Sequence, residues 1–470
     1  MKQPEPRLTD PHLLWTAVAG LSLATAVATI GPLSDPDAWW NLKAGEYVLR
    51  TWRFVGPDPW SRFSTHDFVL SEWLGSAAVA PFYGVFGGAA LVALRTLGGV
   101  AIVALLLVMT RRMADLNWAV CSTLVGVIGF SGSISERPQT LGLVLFLVTL
   151  LLWRRAALNK GRPSWWLVPL TWVFAMTHGY WVLGVAVALV TTVGLAVDRR
   201  SPVTMRIGLA VTASSVAAAA ATPVGPRLLA LPFQVRSSAS GLVGEWERAS
   251  PVQPLVLVAL GTALVTAALW TRTGTSWWRV LHLVLACALT LTYTRLTAPA
   301  MALLVPLLAE GAQRFWARGD PANIVMSPIR LERRAWLGAA GVVLLAGLAL
   351  APMTSRHMRH TPTALEPAIA AIPAGSVVFN DFNVASWMLY AYPELELVVD
   401  TRLEVFDDEY VEAYSRALRG DRGWQETVDA SGAQWAVLRE SLPVVGDLQQ
   451  RHWRRVDRAD GYVVLERSMK

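Results

Sequence analysis

The stretch LLWTAVAGLSLATAVATI at residues 13–30, followed by Gly31-Pro32-Leu33-Ser34 and then Asp35-Pro36-Asp37-Ala38-Trp39-Trp40-Asn41, decides the fold. Eighteen residues without a charge are long enough to cross a bilayer core. Two carboxylates and two tryptophans follow where the chain re-enters water. An acidic pair costs little at that depth, yet it lies close enough to the bilayer to meet a substrate whose tail is still in lipid.

The rest of the chain repeats the pattern. Its 470 residues are 54% hydrophobic and 16% charged, with a mean hydropathy of +0.41, which excludes an ordinary soluble protein. Apolar runs near residues 12–31, 88–110, 117–131, 139–153, 165–178, 180–197, 207–221, 252–271, 280–294, 297–311 and 335–352 give about eleven spans. Residues 71–86 fit either an interfacial helix or one more crossing. The first apolar run lacks a small-residue cleavage site and is expected to stay as a span. After Pro352 a soluble balance returns, so the expected organisation is a transmembrane catalytic domain over 1–352 and an α/β domain over 353–470.

The formal charge of +7 is topological, not a nucleic-acid footprint. Arg111-Arg112, Arg154-Arg155 with Lys160 and Arg162, Arg199-Arg200 with Arg206, and Arg314 through Arg333-Arg334 fall in alternate loops. The positive-inside rule assigns those loops to the cytoplasm. The opposite loops carry Asp35 and Asp37, Ser135-Glu136-Arg137-Pro138, His178-Gly179, Glu245-Trp246 and Tyr293-Thr294-Arg295. Five polar features thus converge on the extracytoplasmic face. The two cysteines, Cys121 and Cys287, sit in apolar runs and form neither a disulfide framework nor a paired metal site.

Asp37 is the first candidate for chemistry, with Asp35 beside it. A carboxylate there deprotonates an acceptor hydroxyl or helps hold a divalent cation, or the pair simply caps the helix that carries Trp39 to Leu49. Trp39 and Trp40 suit stacking on a sugar or lipid and equally suit the interfacial aromatic belt. Asp58 and Glu72-Trp73 continue the loop and read mainly as turn and interface residues, with a place facing the site the alternative for Asp58. Arg137, His178 and Arg295 are candidates to bind a phosphate, with anchoring to headgroups the alternative for the arginines and a satisfied structural role the alternative for the histidine. Glu245 is a second acid, a metal ligand or a solvated loop carboxylate. No Walker loop and no dinucleotide fingerprint is present, so a donor reached from outside arrives attached to a lipid.

In the C-terminal part, residues 376–380, 395–400 and 434–438 read as buried strands, with helices at 384–392, 408–418 and 424–430 and a hairpin around Asp460-Gly461. Asn380-Asp381-Phe382-Asn383 and Asp400-Thr401-Arg402 fall at strand ends, where ligand loops occur, although turns plus a structural Asp–Arg pair explain them as well.

Taken in order, these motifs resemble bacterial polytopic membrane glycosyltransferases of the GT-C superfamily, in a branch whose first external loop reads Asp-Pro-Asp-x-Trp-Trp-His-Leu-x-x-Gly. Here that loop is Asp35-Pro36-Asp37-Ala38-Trp39-Trp40-Asn41-Leu42-Lys43-Ala44-Gly45, and the likeness continues through Pro57-Asp58-Pro59-Trp60-Ser61, Arg137-Pro138-Gln139, His178-Gly179, Glu245-Trp246 and Arg295 to the two C-terminal motifs. The resemblance implies a GT-C-like helical fold and an inverting transfer of sugar from a polyprenyl-phosphate donor to an acceptor in the cell envelope. It also implies a first-loop Asp, here Asp37, as base or metal ligand. Asn41 stands where the pattern has His, which removes a titratable group beside the acidic pair. Mg²⁺ or Mn²⁺ dependence stays open, as do the sugar and the acceptor. The expected location is the bacterial cytoplasmic membrane, with the site and the C-terminal domain outside. A polymerase or ligase using lipid-pyrophosphate glycans and a lipid or glycan transporter are the rival readings.

Overall fold

The computed structural model describes residues 11–159, 161–199, 201–231, 247–316, 330–356 and 358–468. Thirteen helices precede the C-terminal region among the described residues. They are α1 (Pro11–Thr29), α2 (Asp37–Thr51), α3 (Trp73–Phe86), α4 (Gly88–Arg111), α5 (Leu116–Phe130), α6 (Pro138–Leu158) and α7 (Leu167–Thr177). Then follow α8 (Trp181–Val197), α9 (Pro202–Ala220), α10 (Pro254–Thr273), α11 (Trp277–Thr290), α12 (Thr297–Trp316) and α13 (Arg330–Thr354). Seven of them, α1, α4, α6, α9, α10, α12 and α13, are long and apolar enough to cross a membrane, and five more are shorter apolar helices. Every expected span overlaps one of these. The fold class is therefore the expected one, a polytopic helical protein with a small C-terminal sheet.

Local chemistry sets the helix ends. Proline opens α6, α9 and α10, where its missing N–H costs nothing. The ambiguous stretch 71–86 becomes α3, fourteen residues with Pro81 inside. Glu72, just before it, lines a cavity, and Gly88, just after it, sits against Ser355 and Met358 beyond the end of α13. Both ends of α3 therefore lie at the same pole of the bundle, and it adds no crossing. Helix α12 runs through the bundle centre, with Ala298 and Ala300 through Val305 sealed from solvent, whereas α13 lies on the outside.

Two short strands, β1 (Val55–Gly56) and β2 (Phe68–Val69), pair antiparallel between α2 and α3. The C-terminal region adds α14 (Glu366–Ala370), β3 (Val377–Asn380), α15 (Phe382–Ala391), β4 (Glu396–Leu397), α16 (Asp408–Leu418), α17 (Trp424–Ser431), β5 (Trp435–Arg439), α18 (Pro443–Gln450), β6 (Trp453–Ala459) and β7 (Tyr462–Arg467). The sheet order is β4-β3-β5-β7-β6, with parallel β4, β3 and β5 extended by an antiparallel hairpin. Asp460 and Gly461 both take positive φ at the tip of that hairpin, 54° and 75°, the backbone a two-residue turn needs to match strand twist. The second expected strand, 395–400, is paired only over Glu396–Leu397, and α18 had no counterpart in the sequence reading.

Helix α2 joins the two parts. Its residues Ala44 and Val48 pack with Phe68, Leu70, Phe379, Phe382, Val405 and Tyr414, and Ala38, Trp39 and Leu42 pack with Leu91, Val378, Met388 and Val464. The sheet and the first loop thus share one hydrophobic core, and apolar burial is the largest favourable term holding them together. Lys43 Nζ donates to the Leu389 carbonyl at 2.6 Å and Tyr390 donates to Glu46 at 2.8 Å, adding polar ties to α15. On its other side α2 meets α3 so closely that a Cβ at Gly45 would lie 2.4 Å from the Ser76 carbonyl oxygen. Asn41 locks that crossing: its Nδ2 donates to the Asp37 carbonyl at 2.8 Å and its Oδ1 accepts from Ser76 Oγ at 2.9 Å.

Candidate active site

A cavity of about 1720 Å³ opens between the first loop, the α5–α6, α7–α8 and α11–α12 turns, and residues 401–410 of the C-terminal region. Four polar turns far apart in sequence meet here because alternate turns of the bundle reach the same pole. Asp35, Asp37, Trp40, Arg137, His178 and Arg295 all line it.

The centre of its charge is Arg137. Its Nε lies 2.9 Å from Asp35 Oδ2 and its Nη1 lies 2.6 Å from Asp37 Oδ2, so one guanidinium fork spans both carboxylates. Asp35 also accepts the Asp37 N–H at 3.1 Å, which closes the turn that starts α2. Of the three side chains Asp37 is the most open to the cavity, 31% exposed against 12% for Asp35 and 14% for Arg137. Beneath them Glu136 accepts the Ser34 N–H and, at 3.2 Å, the Asp35 N–H, and lies 3.4 Å from Arg95. Arg95 in turn donates to the carbonyls of Thr29, Gly31 and Pro32. Burial pushes the Glu136 carboxyl up, against the pull of Arg95. The acidic loop is thus held from below by a buried ion pair.

On the next wall Glu72 Oε1 accepts the Gly179 N–H at 3.2 Å and sits 3.5 Å from His178 Nε2. His178 Nδ1 accepts the Tyr180 N–H at 3.1 Å, so its one proton is on Nε2, toward Glu72. Burial, then the charges of Arg295 and Arg137, hold this imidazole well below its ordinary pKa and keep it neutral. Burial also raises Glu72, against Arg295, the Gly179 N–H and Arg137. The guanidinium of Arg295 lies 5.7 Å from the Tyr180 ring centre, and Tyr180 Oη donates to the Arg295 carbonyl at 2.9 Å.

The C-terminal region forms the facing wall. Arg402 is gripped by Asp400, through Nε at 3.0 Å and through Nη2, and by Asp58 through Nη1. Its guanidinium is 4.7 Å from the Trp40 ring and 5.0 Å from Trp60. Asp58, read from sequence as a turn residue, is thus a buried partner that fastens the first loop to the C-terminal region. Two residues after Arg402, Glu404 lines the cavity.

The structure gathers Asp35, Asp37, Arg137, His178 and Arg295 at one site. Trp40 lines it with a face covered by Arg402, whereas Trp39 is buried between Tyr83 and Tyr390, with ring centres 5.8 and 5.4 Å away. Glu245 lies outside the described residues. The Asn380-Asp381 motif serves the fold: Asn380 Nδ2 donates to the Val399 carbonyl at 2.8 Å, and Asp381 caps α15 through the Asn383 N–H at 2.8 Å while meeting Arg439 at 2.9 Å. Sequence reasoning read Glu72 only as a turn and interface residue and did not raise Glu404. The signal for Glu72 was a carboxylate set against an apolar helix, an expensive place without a partner; Glu404 had none. Among the described residues no group of three His, Cys, Asp or Glu side chains is disposed to hold a metal, and Asp35 and Asp37 spend an oxygen each on Arg137.

The fold is one already known from crystal structures. No family model matches this chain, and no curated protein matches it in sequence. It shares its fold along nearly its whole length with ArnT from Cupriavidus metallidurans bound to undecaprenyl phosphate, at a TM-score of 0.53 and 15% identity over 98% of this chain and 99% of that one. The same protein in its apo state gives a TM-score of 0.53 and 15% identity over 97% and 98%. The likeness is one of fold.

Proposed function

We propose that the protein is a membrane glycosyltransferase that takes a sugar from a polyprenyl-phosphate donor and passes it to an acceptor on the extracytoplasmic face of the bacterial cytoplasmic membrane. The observation that carries this reading is the guanidinium of Arg137 bridging Asp35 and Asp37 at the edge of a cavity of about 1720 Å³. The undecaprenyl phosphate bound by ArnT supports a lipid phosphate as the group the donor leaves behind, and the basic turns at the opposite pole support the external assignment.

In this reading the acceptor oxygen attacks the anomeric carbon, the bond from that carbon to the phosphate oxygen breaks, and the electron pair leaves with the lipid phosphate. Arg137 and Arg295 supply preorganised positive charge at the departing phosphate, the electrostatic contribution such a reaction needs most. His178, being neutral, contributes one N–H and positions Glu72. Asp37 orients the acceptor hydroxyl, and the charge it shares with Arg137 steadies positive charge at the sugar.

The test uses purified protein in lipid with radiolabelled undecaprenyl-phosphate sugars, comparing wild type with Asp37→Asn and Arg137→Gln. Release of sugar by wild type, lost in folded variants, supports the reading. Turnover only of undecaprenyl-pyrophosphate glycans would transfer the assignment to a polymerase or ligase, and transport without bond cleavage would transfer it to a carrier.

A further inference from the structure

We propose that the basic pole of the bundle carries a binding site for an anionic phospholipid, its phosphate set against Arg112, Arg155 and Arg333 and its acyl chains in the groove between α1, α4 and α13. The site is separate from the cavity that Asp37 lines and does not depend on the chemistry proposed there.

A second cavity, of about 1300 Å³, opens at this pole between α1, α4 and α13 and the ends of α6, α11 and α12. Its two ends differ in chemistry. One is walled by apolar side chains such as Leu21, Val103, Leu107 and Val343. The hydroxyls on that wall, of Ser22 and Thr25, each donate at 2.7 Å to a carbonyl of their own helix, so they leave the wall apolar in effect. The other end holds six arginines against two glutamates, an excess of four positive charges. Glu310 is spent on Arg279 and Arg314, and Glu332 on Arg111. Arg112, Arg155 and Arg333 are left over, and among the described residues none of the three has a carboxylate partner. Behind Glu310, Arg154 is only 3% exposed and its Nη1 and Nη2 have no hydrogen-bond partner, so the positive field at this end exceeds that of the lining alone.

Arginines at this pole obey the positive-inside rule wherever they stand, so basicity alone does not make a site. The order of residues along the groove does. Arg333, Trp336, Ala340 and Val343 succeed one another at helical spacing along α13 and all line the cavity. From Arg112 the chain of α4 runs back through Leu107 and Val103 to Val100 on the same cavity. Charge, indole and apolar wall thus follow in the order in which a phospholipid presents phosphate, ester and acyl chain. At 1.5 Å per residue Arg333 to Val343 covers about 15 Å, half of a hydrocarbon core of roughly 30 Å and so the depth of one leaflet. Helix α13 lies on the outside of the bundle, which leaves the groove open to lipid. A basic pocket between helices on the cytoplasmic side suits an anionic headgroup. A soluble phosphate would gain nothing from the apolar wall, and a zwitterionic lipid would bring no net charge to offset the arginines.

The test titrates delipidated full-length protein in detergent with dioleoyl phosphatidylglycerol, dioleoyl phosphatidylcholine, undecaprenyl phosphate or inorganic phosphate, reading bound lipid by native mass spectrometry and the melting temperature. Phosphatidylglycerol should bind saturably and raise the melting temperature, whereas phosphatidylcholine and inorganic phosphate should do neither. Arg112→Gln, Arg155→Gln and Arg333→Gln should each weaken phosphatidylglycerol about fivefold, and together about 100-fold. A control with Arg162→Gln, Arg206→Gln and Arg334→Gln removes the same charge from exposed arginines of the same pole that do not line the cavity, and should bind as wild type does. Ala104→Phe fills the groove from an exposed position, leaves every charge in place, and should also weaken phosphatidylglycerol. Equal losses in the two triple variants, or inorganic phosphate matching the lipid in raising the melting temperature, overturn the inference. Undecaprenyl phosphate binding that falls with the first triple variant, in place of phosphatidylglycerol binding, gives the site to the carrier lipid and overturns it too. If the first triple variant does not fold, the single variants and Ala104→Phe decide, and unchanged phosphatidylglycerol binding in all four overturns the inference.

Discussion

The two poles of the bundle use arginine and carboxylate in opposite ways. At the pole away from the C-terminal region, Glu310 is clasped by Arg279 at 2.6 Å and by Arg314, with Arg154 at 4.0 Å, and Arg111 grips Glu332 through two bonds of 2.7 and 2.9 Å. Glu310 and Glu332 are each 2% exposed. These pairs join one helix to another, α4 to α13 and α11 to α12, and little of either carboxylate reaches water. At the cavity pole Arg137 also meets two carboxylates, but the partners come from a loop, and Asp37 keeps nearly a third of its surface toward an open space. A closed ion pair fastens helices; an ion pair with one open edge can meet a ligand.

That contrast can be broken in several ways. Arg111→Gln should be the most damaging change to the fold, since it strands Glu332 in an apolar setting; a loss of roughly 3–5 kcal/mol is expected in thermal unfolding in lipid, with turnover per folded molecule unchanged. Replacing both partners, Arg111→Leu with Glu332→Leu, should recover most of that loss. Arg137→Gln should do the reverse, lowering donor turnover about 10²–10³-fold while moving the melting temperature less, because its carboxylates can be hydrated from the cavity. Equal effects of the two arginine variants on both readouts would erase the distinction between the poles.

Smaller changes sharpen it. Gly45→Ala drives a methyl group into the Ser76 carbonyl and should cost about 1–3 kcal/mol of stability. It should lower turnover too, since α2 carries Asp37. Acidification isolates His178: its folded pKa is depressed, so the unfolded chain takes up the proton first. The stability that neutral His178 contributes is complete above about pH 6.5 and is lost as pH falls, by at most about 1.4 kcal/mol for each unit. Melting curves at pH 7.5 and 5.5 should therefore differ more for wild type than for His178→Asn. Tyr390→Phe removes only the exposed bond to Glu46 and should cost about 0.5–1 kcal/mol.

The bundle was legible because hydrophobicity is written locally. Each apolar run became a helix, and the alternation of Arg111-Arg112 or Arg154-Arg155 with Glu136-Arg137 or His178 sorted the turns to two poles. Helix α3 was ambiguous because fourteen residues interrupted by Pro81 give length and composition no purchase; only its neighbours place both its ends at one pole. The meeting of Asp35, Asp37, Arg137, His178 and Arg295 followed from that sorting. What the tryptophans touch was not legible. Trp40 carries the same local signature as an interfacial residue, and its partner, Arg402, lies more than 300 positions away. Glu404 was hidden for the same reason: its neighbours Arg402 and Leu403 look like the end of a strand until the first loop packs over them.

The core shared by α2 and the sheet imposes an order in time. Residues 35–70 leave the ribosome early, and the strands that cover their apolar side chains, at 377–465, come last. Until that final stretch has been made, Val48 and Phe68 lack Phe379, Val405 and Tyr414 as packing partners and Asp58 has no arginine. The first part of the site to be made is therefore the last to be finished.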